Sequence, residues 1–170
     1  MRIINLLDED IVNYKKISMT IGMPYCDFKC NKDANRIVCQ NIALKDKQYI
    51  EIPNNTLAVR YMSNPITKAV VFQGLEPFYR DDKYDSIADI FDFINILRYN
   101  SCNDDIVIYT GYTEDEVISM GIIENYVNKY NNIIIKYGRY IDNGTKHLDP
   151  ILGVYVASDN QYAKKYVTIK

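Results

Sequence analysis

At 170 residues the chain is long enough for one domain with a sizeable core, and too large to need its cysteines as staples for a small one. Its 48% apolar and 25% charged residues are ordinary for a globular protein, and a formal net charge of -2 speaks against a dedicated nucleic-acid binder, which carries a basic surplus. No apolar run approaches the roughly 20 residues of a membrane span, and the N-terminus turns acidic at Asp8-Glu9-Asp10, too early for a signal peptide. A cytoplasmic protein with reduced thiols is therefore expected.

Taken in order, residues 1–16 are mixed and define no element. Residues 17–23, rich in Ile, Met and Thr, read as a buried strand. A cysteine-bearing loop follows over 24–41. Gln48-Tyr49-Ile50-Glu51-Ile52 alternates like a strand and stops at Pro53. Asn54 or Asn55 is placed to cap a short helix over 56–63, which Pro65 ends. Lys68-Ala69-Val70-Val71-Phe72-Gln73 is the nearly continuous apolar run of a parallel strand covered on both faces, and it feeds the turn Gly74-Leu75-Glu76-Pro77. Over 84–99, Ile87, Ile90, Phe91, Ile94 and Leu97 recur at offsets of three and four, the signature of an amphipathic helix.

Asp105-Ile106-Val107-Ile108-Tyr109 is another buried strand, ending in Thr110-Gly111-Tyr112. Thr113 and Glu116 form a capping box for a helix over 114–118, and a further short helix is expected over 122–130. Ile133–Tyr137 is the next strand, closed by Gly138. Residues 142–150 read as loop and 152–156 as a last strand; the chain beyond gives no clear element. Strands alternating with helices after residue 66 predict parallel βα units with right-handed crossovers. The expected fold is a single α/β domain over 1–170, either a small partial βα barrel or an open, mainly parallel sheet. Such sheets bind ligands at the C-terminal ends of their strands. Cys26, Gly74–Glu76 and Thr110-Gly111 each follow a strand and so converge on one rim.

Three of the four cysteines, Cys26, Cys30 and Cys39, fall in that loop at C-x3-C-x8-C spacing. Thiolates are soft ligands, and three on one loop suit zinc or an iron–sulfur cluster. A structural zinc site would draw its fourth ligand from His147, the single histidine, or from Cys102, which otherwise reads as a free thiol.

Several motifs together resemble the radical S-adenosylmethionine (SAM) superfamily, and within it the activating proteins of anaerobic ribonucleotide reductase. Asp10-Ile11-Val12-Asn13 resembles that family's opening motif, at the family's distance from the first cysteine. Gln73-Gly74-Leu75-Glu76-Pro77 is similar to its Ser-Gly-Gly-Asp/Glu-Pro, and Asp105 to Tyr112 to its strand ending in Thr-Gly-Tyr. Ile135-Lys136-Tyr137-Gly138-Arg139-Tyr140 resembles its Val-Asp-Gly-Lys/Arg-(Phe/Tyr), and Ser158-Asp159-Asn160-Gln161 its closing Ser-(Ser/Asp)-Asn-Gln. The departures are a last cysteine gap of eight rather than two, Leu75 for the second glycine, Tyr14-Lys15-Lys16 for a Gly-Pro-Gly, Tyr137 for the aspartate, and Val156 for an arginine.

The resemblance implies a sheet or partial barrel of the radical SAM type. It implies a four-iron, four-sulfur cluster held by Cys26, Cys30 and Cys39, with one iron left open for SAM. One electron, from a flavodoxin or ferredoxin-type donor, would cleave SAM to a 5′-deoxyadenosyl radical. That radical would take a hydrogen from a glycine of the reductase large subunit or of another glycyl radical protein. SAM would be flanked by Val38 and Gln40 near the adenine, Gly74 at the methionine backbone, Glu76 at the ammonium, and Thr110 and Gly111 at the ribose or carboxylate. A longer cysteine gap is tolerable, since each doubling of a flexible loop costs only about 0.6 kcal/mol, and the polar insert Asn31–Arg36 is expected to bulge into solvent. The resemblance leaves room for a radical SAM enzyme acting on another peptide or small molecule, and for a relative that binds metal without catalysis.

Overall fold

A computed structural model describes residues 1–142 and 144–167 of the chain. Its centre is a six-stranded mixed sheet. Four inner strands run parallel: β3 (Ser18–Met23), β5 (Ala69–Gly74), β6 (Asp105–Tyr109) and β7 (Ile133–Tyr137). They are the apolar runs that the sequence marks as strands covered on both faces. Two antiparallel strands border them. β2 (Asn5–Asp10) pairs with β3 through an irregularity between Leu7 and Asp10, and β10 (Tyr162–Tyr166) pairs with β7, giving the order β10-β7-β6-β5-β3-β2. The expected α/β class is thus present, and the sheet is mixed, with a parallel centre and antiparallel borders.

Side chains alternate across a strand, and here the two faces meet different cover. Val70, Phe72, Ile106, Ile108, Ile133, Ile135 and Tyr137 join Leu57, Tyr61, Ile87, Ile90, Phe91, Ile94 and Leu97 in the larger core cluster. Those partners lie on α2 (Asn54–Met62) and α3 (Ser86–Tyr99). On the other face Ala69, Val71, Val107 and Ile134 pack against Tyr14, Leu152, Val156 and Ala163. Lys136 sits two residues after Ile134, so alternation directs it to this second face.

Local chemistry explains the element ends. α3 begins two residues later than its periodicity suggests, because the Asp85 side chain accepts from Ala88 N at 2.9 Å and fixes the start. The Thr113–Glu116 capping box is present and starts α4 (Glu114–Ser119). α2 starts from Pro53 without a side-chain cap, so neither Asn54 nor Asn55 caps it; the Asn54 side chain instead donates to Asp92 and to the Asp89 carbonyl.

Other expectations are corrected. The strand read over 48–52 shrinks to β4 (Ile50–Glu51), which pairs with β1 (Arg2–Ile3) in a separate ribbon. The helix read over 122–130 is α5 (Ile122–Asn125) followed by a 3-10 turn at Val127–Lys129. Within the loop read over 142–150, His147–Asp149 forms β8 and pairs with β9 (Val154–Val156), the strand read over 152–156; Asn143 lies outside the described residues. The cysteine loop is not all loop: Lys29–Ala34 is a short helix, α1. No helix among the described residues is long and apolar enough to cross a membrane.

Candidate functional site

The C-terminal ends of β5, β6 and β7, with the loop that follows β3, border a cavity of about 390 Å³. Cys26, Cys30, Cys39, Gln40, Gly74, Glu76, Thr110 and Gly111 all line it. Val38 does not; it lines a neighbouring pocket of about 330 Å³ together with Cys30, Asp33, Arg139 and Tyr140. Neither His147 nor Cys102 borders either space. Cys102 lies past the far end of α3, its Sγ 3.7 Å from Asp104.

The cysteine loop is shaped by its own backbone. Phe28 adopts a left-handed conformation (φ 52°), unusual for a bulky residue, and this turns the chain between Cys26 and Cys30. The Phe28 N–H donates to Cys26 Sγ at 3.2 Å. α1 then carries the eight-residue gap. Asn35, also left-handed, ends it, and Asn31 Oδ1 accepts from both Val38 N (2.8 Å) and Cys39 N (2.9 Å). The insert is exposed, as its polarity suggests, but it is a folded turn of helix whose first residues bring Cys39 back beside Cys30. Asn41 Nδ2 donates to the Gly74 carbonyl at 2.6 Å, joining the loop to the turn after β5.

The outer side of this loop is fixed by charge. Arg139 donates to both Glu116 oxygens at 2.7 Å and lies 3.2 Å from Asp33 on α1, while Lys29 also pairs with Glu116. Burial opposes ionisation of Glu116, but Arg139, Lys29 and the Thr113 N–H outweigh it and bring its carboxyl to about 2.

The turn after β5 is built tightly. Gly74 has φ +96°, and a Cβ there would stand 3.1 Å from Met23 N and 3.2 Å from Gly22 Cα. The missing side chain therefore makes room for β3, while Gly74 itself still lines the cavity. Glu76 is 5% exposed. Its Oε1 accepts from Thr110 Oγ1 (2.6 Å) and Phe78 N (2.9 Å), and its Oε2 from Gly111 N (2.8 Å). It thus ties the ends of β5 and β6 together as well as facing the cavity. Burial raises its carboxyl to about 7 despite these donors. Burial likewise raises the Cys26 thiol to about 12 and the Cys30 thiol to about 11, the latter helped by Cys39.

One wall of the cavity carries a charge to which the motifs assign no role. Lys136 lines it at 7% exposure, and its Nζ donates to the Gly138 carbonyl at 3.0 Å. The signal was visible as one charged residue in the run Ile133–Tyr137, a strand otherwise apolar on both faces. Val154, Tyr155 and Val156 of the β8–β9 hairpin form another side.

Comparison with protein-family models, with curated proteins and with solved structures finds no match to this chain. Among the described residues no group of three or more His, Cys, Asp or Glu is arranged to hold a metal ion. The three thiols share one cavity wall without closing round a single ion.

Proposed function

We propose that the chain is a radical SAM protein of the partial-barrel type that generates a glycyl radical on an anaerobic ribonucleotide reductase in a reducing cytoplasm. One observation carries the reading: Cys26, Cys30 and Cys39, spread over fourteen positions, all reach the cavity that the Gly74–Glu76 and Thr110-Gly111 turns also border. The donor set suits a four-iron, four-sulfur cluster. It consists of three soft sulfurs, with neither Cys102 nor His147 beside them to complete a four-ligand zinc site.

When bound, such a cluster supplies the single electron that reductive cleavage of the SAM sulfonium requires. The chain's own residues do the rest. Cys26, Cys30 and Cys39 would hold the cluster as thiolates, releasing protons on loading because burial keeps two of them high. The Phe28 N–H stabilises the Cys26 sulfur when it is negative. Glu76, already held by three donors, presents its remaining acceptor capacity to the ligand's ammonium. Val154 and Val156 give the cavity an apolar side that limits water, which a carbon radical needs. SAM held there would supply the carbon radical for hydrogen abstraction, and Gly74, Glu76, Thr110 and Gly111 would orient it toward the partner's glycine.

Anaerobic reconstitution with iron and sulfide tests this. The expected result is a brown protein with about four irons per chain, deoxyadenosine release under a low-potential reductant, and a glycyl electron-spin signal when the reductase is added. Cys39→Ser should lose the iron and Cys102→Ser should keep it. A colourless protein holding one zinc, with no deoxyadenosine, would overturn the proposal; deoxyadenosine without a reductase signal would move the substrate to another peptide or small molecule.

A further inference from the structure

Lys136 is a charge in an unexpected place. It projects from an interior strand onto the face that carries Ile134, at 7% exposure, and it borders the main cavity. An ammonium has three protons to donate. One goes to the Gly138 carbonyl, which also accepts from Gln161 Nε2 at 3.1 Å. Among the described residues no carboxylate comes within 4.0 Å of its Nζ. The Tyr109 ring, 5.9 Å from the ammonium, is a weak substitute for a counter-ion.

Buried charges are normally paired, because an isolated ammonium away from water is expensive. The price is visible here: burial lowers the Lys136 ammonium to about 8, against an attraction from Glu76 that works the other way. The same cavity holds Glu76, a buried carboxyl that is not in contact with Lys136 either. One buried cation and one buried anion, left apart on the walls of one cavity, match the two ends of an amino-acid group.

We propose that Lys136 binds the carboxylate of the amino-acid moiety of the ligand in this cavity, opposite the ammonium end at Glu76. The assignment rests on the reading that the ligand is SAM. It supplies Lys136 with the anion that the protein withholds, and it makes the site select ligands that keep their carboxylate. A nucleoside thioether lacking the whole amino-acid arm gains nothing from Lys136.

Equilibrium binding to the anaerobically reconstituted full chain tests the assignment, using SAM, decarboxylated SAM and 5′-methylthioadenosine as probes. Lys136→Gln keeps a donor for the Gly138 carbonyl while removing the charge. The expected result is that the wild-type preference for SAM over decarboxylated SAM falls at least tenfold in Lys136→Gln, with methylthioadenosine affinity unchanged. Using the ratio of two ligands on one protein removes any general effect of the substitution on folding or on the loop. Lys136→Arg, which restores a cation, should recover part of the preference. An unchanged ratio in Lys136→Gln would overturn the assignment and leave Lys136 as a prop for the Gly138 carbonyl, with SAM still the ligand. Absence of SAM binding to the wild-type chain would overturn the SAM reading itself, and this assignment with it.

Discussion

Asp105 opens β6 and Thr110 follows its last residue, so a single strand connects two ends of the sheet where charge is handled differently. At the opening end, the buried Asp105 accepts from Tyr14 Oη at 3.0 Å and Lys165 Nζ at 3.1 Å, and pairs with Lys16. Nearby, Tyr61 donates to Asp104 at 2.7 Å, and Arg98 serves three carbonyls, those of Cys102, Asp104 and Asn131. At the closing end, Glu76 and Lys136 are buried with neutral partners, and two thiols are held high. Burial raises the carboxyl at one end; at the other, Lys16, Lys165 and Tyr14 overcome burial and lower it. At the opening end the Asp105 carboxylate finds its cations within the chain, although Arg98 Nε nearby is buried without a partner, whereas at the closing end neither Glu76 nor Lys136 meets an opposite charge at salt-bridge distance among the described residues. That division matches the general placement of ligand sites at strand C-termini.

The largest effect that would break the comparison is at Asp105. Asp105→Ala should lower stability by about 3 kcal/mol in urea unfolding at neutral pH, chiefly because the Tyr14 hydroxyl, at 1% exposure, loses its acceptor. The two lysines are 44% and 40% exposed and can return to water, which keeps the loss below the upper range for buried pairs. The pH dependence has a defined sign. A carboxyl held below its unfolded value contributes stability above that value and loses it as pH falls through the folded one. The wild-type chain should therefore lose this increment below about pH 4, and the alanine variant should show a shallower acid limb. A change under about 1 kcal/mol would show that this end is no better satisfied than the other.

The opposite sign is expected at Glu76. Its folded value is raised to about 7 by burial, so ionisation works against the native state. Between the unfolded carboxylate range and pH 7 the native protein binds the extra proton, and stability falls as pH rises. Metal-free wild-type chain should lose roughly 2 kcal/mol between pH 5 and pH 8 from this group. Glu76→Gln should flatten that slope, whatever constant offset it adds by facing an amide group toward the Gly111 N–H. Lys136, lowered to about 8, adds its own slope only above that window. A wild-type chain equally stable at pH 5 and pH 8 would remove the contrast between the two ends.

How much of this could be read beforehand follows from the physics of each element. The inner strands were legible because burial on both faces demands continuous apolar runs, and Ile133–Tyr137 matches its expected bounds. α3 was legible because one helical stripe faces a core. β2, Asn-Leu-Leu-Asp-Glu-Asp, was not: it is an edge strand whose pairing is set by β3, with Glu9 exposed but Asp10 buried beside Thr20 and Asn13, so its polarity pattern does not mark a strand. β10, Tyr-Ala-Lys-Lys-Tyr, escaped for the same reason. α1 has no buried residue and so no periodicity to detect. The convergence of Cys26, Glu76 and Thr110 was readable from strand ends, but the position of Lys136 depended on which face of β7 lies over the cavity, and that requires the hairpin β8–β9 to be known.

The smallest effect probes how the closing end keeps three cysteines together across an eight-residue gap. Entropy alone would let such a loop wander cheaply, yet Asn31 Oδ1 holds the Val38 and Cys39 N–H groups at once, at 2.8 and 2.9 Å. Two hydrogen bonds on a half-buried amide are worth about 1 kcal/mol net. Asn31→Ala should therefore cost the whole protein little in urea. It should free the Cys39 segment locally, with faster amide exchange at Val38 and Cys39 and faster alkylation of Cys39 relative to Cys26 in the metal-free chain. Asn31→Asp keeps the acceptor and should restore the protection. If Asn31→Ala left Cys39 as protected as before, the loop would owe its shape to the Arg139–Asp33 and Arg139–Glu116 contacts on its outer side, and the cavity wall would be set by charge rather than by this one amide.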